Sequence, residues 1–223
     1  MPYNKISFAT TAMLRPKILN ETYTSLSRSI NMDLRKVKLY LNVDSSPRGT
    51  DPMEVVNVAI NNFGEVVYRI SDSPNFTNAI NWLWTNADSE FLFHVEDDWT
   101  WLKRFSAELA LSNFEQNNEL LMLRFRYKNV GRSFNFGLTP CIIKKKFYKA
   151  FAGKLDITQN PESQIYECEK FGVPTPKMGV NVIQWHNKII VKDIGRKWKE
   201  KNKIELINYD KTPGDVRSFV NWQ

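Results

Sequence analysis

Cysteine is nearly absent from this chain, with Cys141 and Cys168 the only two in 223 residues. They form no CxxC pair, and a chain of this length does not need a disulfide framework, so both are expected to be free thiols in a reducing, cytoplasmic setting. Long apolar runs are missing too. No stretch approaches the ~18 uninterrupted apolar residues of a membrane-spanning helix. The opening "MPYNKISFATTAML" has no long apolar core after its lysine, so no secretory leader is expected and the sequons at Asn20 and Asn75 read as chance matches. There is no internal repeat, no low-complexity tract and no obvious linker. A Gly-rich phosphate loop is lacking near the N-terminus, which argues against a nucleotidyltransferase.

What is present belongs to a folded globular domain: 42% hydrophobic and 13% aromatic residues. Lysine and arginine number 31 against 24 acids, a net charge of +7. That surplus suits an anionic partner without selecting one, and a solvated basic surface explains it equally well.

The pattern along the chain is alternating. "KISFATTAML" is a β-prone run, and Pro16 then suits the first turn of a helix with apolar residues at Ile18, Tyr23, Leu26 and Ile30. "KVKLYLNVD" alternates as a strand. "DPMEVVNVAINNFG" reads as a helix with Pro52 at its start and Gly64 past its end. "EVVYRI", the helix "SPNFTNAINWLWTNA" and the strand "EFLFHV" complete a β-α-β-α-β-α-β series within about the first 95 residues. Such alternation predicts right-handed crossovers and a mainly parallel sheet covered by helices. Further on, a helix is expected over "LKRFSAELALSNFEQN" and a strand over "ELLMLRFRYK". "GLTPCIIKKKFYKAF" reads as strand into helix and "NPESQIYECEKFG" as a capped helix, with a strand pair around "NVIQWHNKIIVKDIG" and a basic tail after it.

"FLFHVEDDWTW" places three consecutive carboxylates, Glu96, Asp97 and Asp98, at the end of an apolar strand. In open α/β sheets ligands bind beyond the carboxyl ends of the strands. One acid would serve as a helix cap; three repel one another unless a cation joins them. Hard divalent ions take carboxylate and phosphate oxygens together, so Mg²⁺ or Mn²⁺ is the expected cofactor. Adjacent side chains on a strand point to opposite faces, so at most two can meet one ion. Asp98 is the expected ligand, with Glu96 or Asp97 reaching a ribose or a metal-bound water. Trp99 and Trp101 flank the cluster, to stack on a sugar ring or to fill the core. His94 falls in the apolar strand and reads as a hydrogen-bonded core residue. Arg196, Lys197 and Lys199 offer charge to a diphosphate or an anionic acceptor.

The order strand, "RP" helix, strand ending "NVDSSP", strand, helix with "NFTNAIN", and apolar strand ending "HVEDDW" resembles the nucleotide-sugar domain of GT-A glycosyltransferases, most similarly the family 2 group. The likeness runs over roughly residues 5–105. It implies an α/β, Rossmann-like, mainly parallel central sheet with helices on both faces and a smaller mixed acceptor-side region. The whole chain, 1–223, would be one domain with a nucleotide-sugar-binding half (1–105) and an acceptor-side half with the basic tail (106–223). The activity implied is metal-dependent transfer of a sugar from a UDP- or GDP-type donor to a hydroxyl on a glycan or other acceptor. By the same resemblance, Thr10, Thr11 and Arg15 fall in the donor-binding loop, Asp44 contacts base or ribose, and Asn78 faces the nucleotide. Asp98 matches the last acid of the family's DxD motif, although EDD stands here. Glu162 in "NPESQ" matches the acid that takes the acceptor's proton, with Asp156 in reserve, and His186 falls where several such enzymes supply a metal-binding histidine. Two rivals follow from the charge: a glycosyltransferase acting on hydroxylated DNA bases, and a non-catalytic nucleic-acid-binding domain. The second leaves the clustered acids unexplained beside a phosphate backbone.

Overall fold

The computed structural model describes residues 3–45, 50–126, 137–185 and 188–201, with a short strand pair at 205–206 and 220–221. The chain begins with β1 (Ile6–Met13), α1 (Pro16–Ser29), β2 (Lys38–Asp44), α2 (Pro52–Asn62), β3 (Glu65–Ser71), α3 (Phe76–Asn86) and β4 (Phe91–His94). Local chemistry sets each helix start. Pro16 and Pro52 occupy first-turn positions where a missing N–H costs nothing. Asp51 and Asn75 cap α2 and α3 by accepting from the Met53 and Asn78 amides. The cap role occupies the Asn75 side chain, whose amide also donates to the Ile157 carbonyl at 3.0 Å.

After β4 come β5 (Trp99–Trp101), α4 (Ala107–Gln116), β6 (Met122–Phe125), β7 (Cys141–Lys144), α5 (Lys145–Phe151), α6 (Pro161–Tyr166), β8 (Val182–Trp185), β9 (Val191–Asp193) and α7 (Gly195–Lys201). The central sheet has seven strands in the order β3-β2-β1-β4-β7-β6-β8. All neighbours run parallel except around β7, which is antiparallel to both β4 and β6. The mainly parallel sheet expected from the alternation is therefore present, with one reversed strand. Strands β1 and β4 are buried on both faces, as crossover helices require of central parallel strands.

Two cores lie on the two faces. Under α1, α2 and α4, Leu19, Tyr23, Leu26, Val55, Ala59 and Phe114 pack on Phe8, Leu39, Leu41 and Phe93. Under α3, α5 and α6, Ile80, Leu83, Trp84, Phe147, Phe151 and Ile165 pack on Ala9, Leu92, Cys141 and Ile143. At roughly 25 cal/mol per Å² of buried apolar surface, these two layers are the main stabilising term.

The C-terminal strands do not form the expected pair. Strand β8 extends the central sheet beside β6, whereas β9 pairs antiparallel with β5 in a small separate sheet that matches Trp99 to Asp193 and Trp101 to Val191. This second pairing carries the chain from residue 191 back to the end of β4. Among the described residues no helix is long and apolar enough to cross a membrane.

Candidate functional site

The chain leaves β4 while still bonded to β1: Val95 N–H donates to the Ala9 carbonyl at 2.9 Å and Asp97 N–H to the Thr11 carbonyl at 3.1 Å. Side-chain alternation then splits the acids between the two faces. Asp97 turns toward α1 and is 3% exposed. Arg15, 4% exposed, donates to both its oxygens: Nε to Oδ2 at 3.1 Å and Nη2 to Oδ1. The Met13 amide adds a bond to Oδ2 at 3.0 Å, and Thr22 Oγ1 donates to the Asp97 carbonyl at 2.7 Å. Burial raises the Asp97 carboxyl while the Arg15 charge pulls it back. Burial likewise works against the Arg15 charge, but Asp97 and Asp98 outweigh it and leave the guanidinium more basic than usual.

Asp98 is shared between this anchor and the crevice. Its Oδ2 accepts from Arg15 Nη2 at 3.1 Å, and its carbonyl accepts from the Ile194 amide at 2.9 Å. The returning C-terminal segment presses on it: a Cβ at Gly195 would lie 2.0 Å from Asp98 Oδ2, so any larger residue there must displace Asp98 or the segment. One residue turn further, the Trp198 ring faces the Arg15 guanidinium at 5.3 Å. The cation that reconciles the crowded acids is thus partly the protein's own.

Glu96 lies on the opposite face. Trp99 Nε1 donates to its Oε2 at 2.8 Å. Its carboxyl is pushed well above the usual range by burial, then by Asp98, with Glu162 and Asp97 adding to the effect. Trp99 is 4% exposed and belongs to the core, where Trp101 packs with Phe93, Phe105 and Phe125.

A second polar group forms at the ends of β2 and β3. Asn42 Nδ2 donates to Asp44 Oδ1 at 2.8 Å, and Arg69 Nε donates to Asn42 Oδ1 at 2.7 Å. Arg69 also reaches the Asn78 side chain at 3.4 Å and its carbonyl at 3.2 Å, with its guanidinium 5.4 Å from the Trp82 ring. Burial lifts the Asp44 carboxyl to about 6, against the pull of Asn42 and Arg69. Thr11 borders this side with little exposure, and Thr10, on the α1 side, is fully buried. Asp44 and Asn78, singled out separately in the sequence, are therefore joined through Arg69.

Across the sheet, Glu162 stands in the first turn of α6, whose cap Asn160 accepts from the Glu162 amide at 2.8 Å. Glu162 Oε1 accepts from the Leu138 amide at 2.6 Å. Two residues from β7, Thr139 Oγ1 accepts from Arg124 Nη2 at 3.0 Å. Asp156 points away from this group: it is exposed, and Thr158 and Gln159 occupy its carboxylate and hold it below the usual range. Arg196 is exposed on α7 and paired with Asp193 at 3.2 Å, and Lys197 is exposed beside it. His186 and the Lys199 side chain lie outside the described residues. His94 is a core residue but, among the described residues, neither ring nitrogen has a hydrogen-bond partner, and burial lowers its pKa to about 4.

Arg69 and Arg124 were not picked out from the sequence. A signal for both was available: each is a lone cation inside an otherwise apolar strand, "VVYRI" and "LMLRF", and buried charges are rarely without a partner.

A divalent cation has few protein ligands to call on here. Among the described residues no group of three or more His, Cys, Asp or Glu side chains forms a ready metal cage. Asp98 Oδ1 and Glu96 Oε1 are the carboxylate oxygens of the cluster that accept no hydrogen bond from the described residues. One or two carboxylates completed by phosphate and water is the coordination Mg²⁺ commonly accepts, so the residues fit an ion brought in with a diphosphate.

The chain matches no protein-family model and no curated protein. Its likeness is to solved structures. S. aureus TarS superposes at TM-score 0.62 with 13% identity, over 85% of this chain and 36% of that one; residues 1–349 of TarS in complex with UDP give 0.61, 14%, 84% and 60%. The mannosyltransferase PcManGT from Pyrobaculum calidifontis, in complex with GDP-Man and Mn²⁺, gives 0.61 and 12%, over 85% and 56%. A cytidylyltransferase from Leptospira borgpetersenii gives 0.52 and 11%, over 83% and 77%. The chain thus spans between about a third and two thirds of the length of the TarS and PcManGT chains. What it shares with all of these is the GT-A-type, Rossmann-like α/β fold.

Proposed function

We propose that this chain is a metal-dependent glycosyltransferase that moves a sugar from a nucleoside-diphosphate donor to an acceptor hydroxyl. The observation that carries the reading is the Glu96–Asp98 cluster at the carboxyl end of β4, with Arg15 locked onto it from one side and Glu162 close to Glu96 on the other. The fold neighbours that bind UDP, UDP-GlcNAc or GDP-Man with Mn²⁺ support it.

In this reading Asp98, with Glu96 beside it, would hold Mn²⁺ or Mg²⁺, which when bound supplies the positive charge that steadies a departing diphosphate. Asp97 serves through Arg15, fixing the turn that presents Asp98. Asp44, Asn78 and Arg69 form the nucleoside end of the crevice, with Thr11 on the adjoining strand; Thr10, fully buried on the α1 side, has no part in it. Arg196 offers exposed charge to a phosphate. Glu162, fixed by the Leu138 amide, takes the proton from the attacking hydroxyl as the new glycosidic bond forms and the bond to the diphosphate breaks. The acceptor is proposed to be a glycan or another hydroxyl compound.

A thermal-shift series with UDP-GlcNAc and GDP-Man, each with and without Mn²⁺, tests this reading, because a ligand that binds only the folded state raises its stability. Stabilisation by one donor that requires Mn²⁺ is expected, and it should vanish in Asp98→Ala. Glu162→Gln should keep that donor-induced shift and lose turnover by roughly 100-fold or more. Donor stabilisation that ignores both Mn²⁺ and Asp98→Ala refutes the assignment. The cytidylyltransferase likeness makes nucleotidyl transfer the second reading; release of pyrophosphate from a nucleoside triphosphate, in place of a nucleoside diphosphate from a sugar donor, would establish it.

A further inference from the structure

The acceptor-side carboxylate has a charged neighbour to which no role has been given. Arg124 is 8% exposed near the end of β6. Register places it opposite Cys141 on β7, and Cys141 opposite His94 on β4, so the three side chains lie in one row on the face covered by α3, α5 and α6. Glu96 projects from the same face two residues past His94. Arg124 and Glu162 close on one point: a Cβ built at Gly137 would lie 3.4 Å from Glu162 Oε1 and 3.5 Å from Arg124 Nη2. The two head groups are therefore no farther apart than the sum of those distances.

The chain between them binds both. The Leu138 amide donates to Glu162 Oε1, and Thr139 Oγ1 accepts from Arg124 Nη2. Cys141, just beyond, registers all the charges at once: its thiol is pushed up to about 12 by burial, then drawn down by Arg124 and pushed up by Glu96 and Glu162. Glu162 thus faces the buried Arg124 guanidinium across a segment that carries only a hydrogen at the pinch point. A buried arginine is costly to keep unless it acts on a nearby charge.

We infer that Arg124 is a positioning residue for Glu162, setting its orientation and its charge through the Gly137–Thr139 segment. The inference rests on the reading of Glu162 as the base. The charged and titratable groups near Glu162 include, among the described residues, Glu96 from the end of β4, Arg124 from β6 and Cys141 from β7; of these three Arg124 is the cation. Removing it takes a positive charge away from Glu162, which favours the protonated form, and frees the segment that orients the carboxylate. Replacing Gly137 by alanine would wedge a methyl group against both head groups.

The direct test follows the Glu162 carboxyl carbon by NMR in protein labelled at glutamate Cδ, with the resonance assigned by its loss in Glu162→Gln. In Arg124→Gln the titration midpoint should rise by at least about half a unit, and in Arg124→Lys it should return most of the way. Release of UDP from UDP-GlcNAc or GDP from GDP-Man, whichever the parent turns over, should fall roughly tenfold or more in kcat with donor KM little changed, and its acidic limb should move up in parallel. A Glu162 midpoint in Arg124→Gln equal to the parent's overturns the inference while leaving the base reading intact. Parent-level turnover in Glu162→Gln defeats the base reading, and the inference falls with it.

Discussion

Replacing Asp44 by asparagine should make the folded protein more stable at neutral pH and less able to hold a donor. The Asp44 carboxyl has an ordinary value of 3.8 and stands at about 6 in the fold because burial disfavours its charge more than Asn42, Arg69 and the Asn75 amide restore it. Each unit of difference is worth about 1.4 kcal/mol, so the gap sets a ceiling of about 3 kcal/mol. The side chain is only partly shielded from water, and roughly half the ceiling, about 1.5 kcal/mol, is the expected gain. For a domain of this size that is about 3–6 °C in Tm. Asparagine keeps the oxygen that accepts from Asn42 Nδ2 at 2.8 Å, so the exchange removes charge with little change of shape. The sign follows from linkage: the folded state holds its proton to higher pH than the unfolded chain, so stability is full below pH 4 and is lost as pH rises through about 6. Thermal melts of parent and Asp44→Asn from pH 4 to pH 8 should therefore coincide at the acid end and separate above pH 6. A gain of equal size at pH 4, or a loss at pH 8, refutes the reasoning. If Asp44 holds the nucleoside, the same variant should show a smaller shift with UDP-GlcNAc or GDP-Man despite its higher starting Tm.

Arg15→Met strips the buried Asp97 of its counter-charge and should cost about 3–5 kcal/mol, a fall in Tm of roughly 6–20 °C; Arg15→Met combined with Asp97→Leu should recover much of it in the same melt, because the orphaned charge is gone. Gly195→Ala places a methyl group 2.0 Å from Asp98 Oδ2, so the β9–α7 segment or Asp98 must shift; the Mn²⁺-dependent donor shift should weaken by at least about half while Tm without ligand falls by less than about 5 °C.

The parts of the fold that were legible are those whose causes are local. Strands β1 to β4 and the helices between them announce themselves through period, caps and prolines, and crossover handedness then leaves one way to assemble them. Strand β5 was not legible, because "WTW" is three residues long and its partner β9 is about ninety residues further along. For the same reason β8 and β9 look like a hairpin in sequence and pair with different sheets in space. The site divides in the same way. The acids at the end of β4 could be picked out as a candidate because their position follows from the strand itself. Their counter-ion could not, since Arg15 is separated from Asp97 by eighty-two residues and meets it only once β1 and β4 lie side by side.

Sequence reasoning asked what cation lets three adjacent acids coexist and looked outside the protein for it. The structure divides the task. Asp97 is neutralised internally and becomes scaffold, Glu96 is half-buried on the far face, and Asp98 retains an oxygen that accepts no hydrogen bond from the described residues. A fully neutralised cluster would have nothing to offer a metal, and an unneutralised one would resist burial. Arg15 takes up both oxygens of Asp97 and one of Asp98 and leaves Asp98 Oδ1 without a hydrogen bond from the described residues, so the cluster is neutralised in part and not in full.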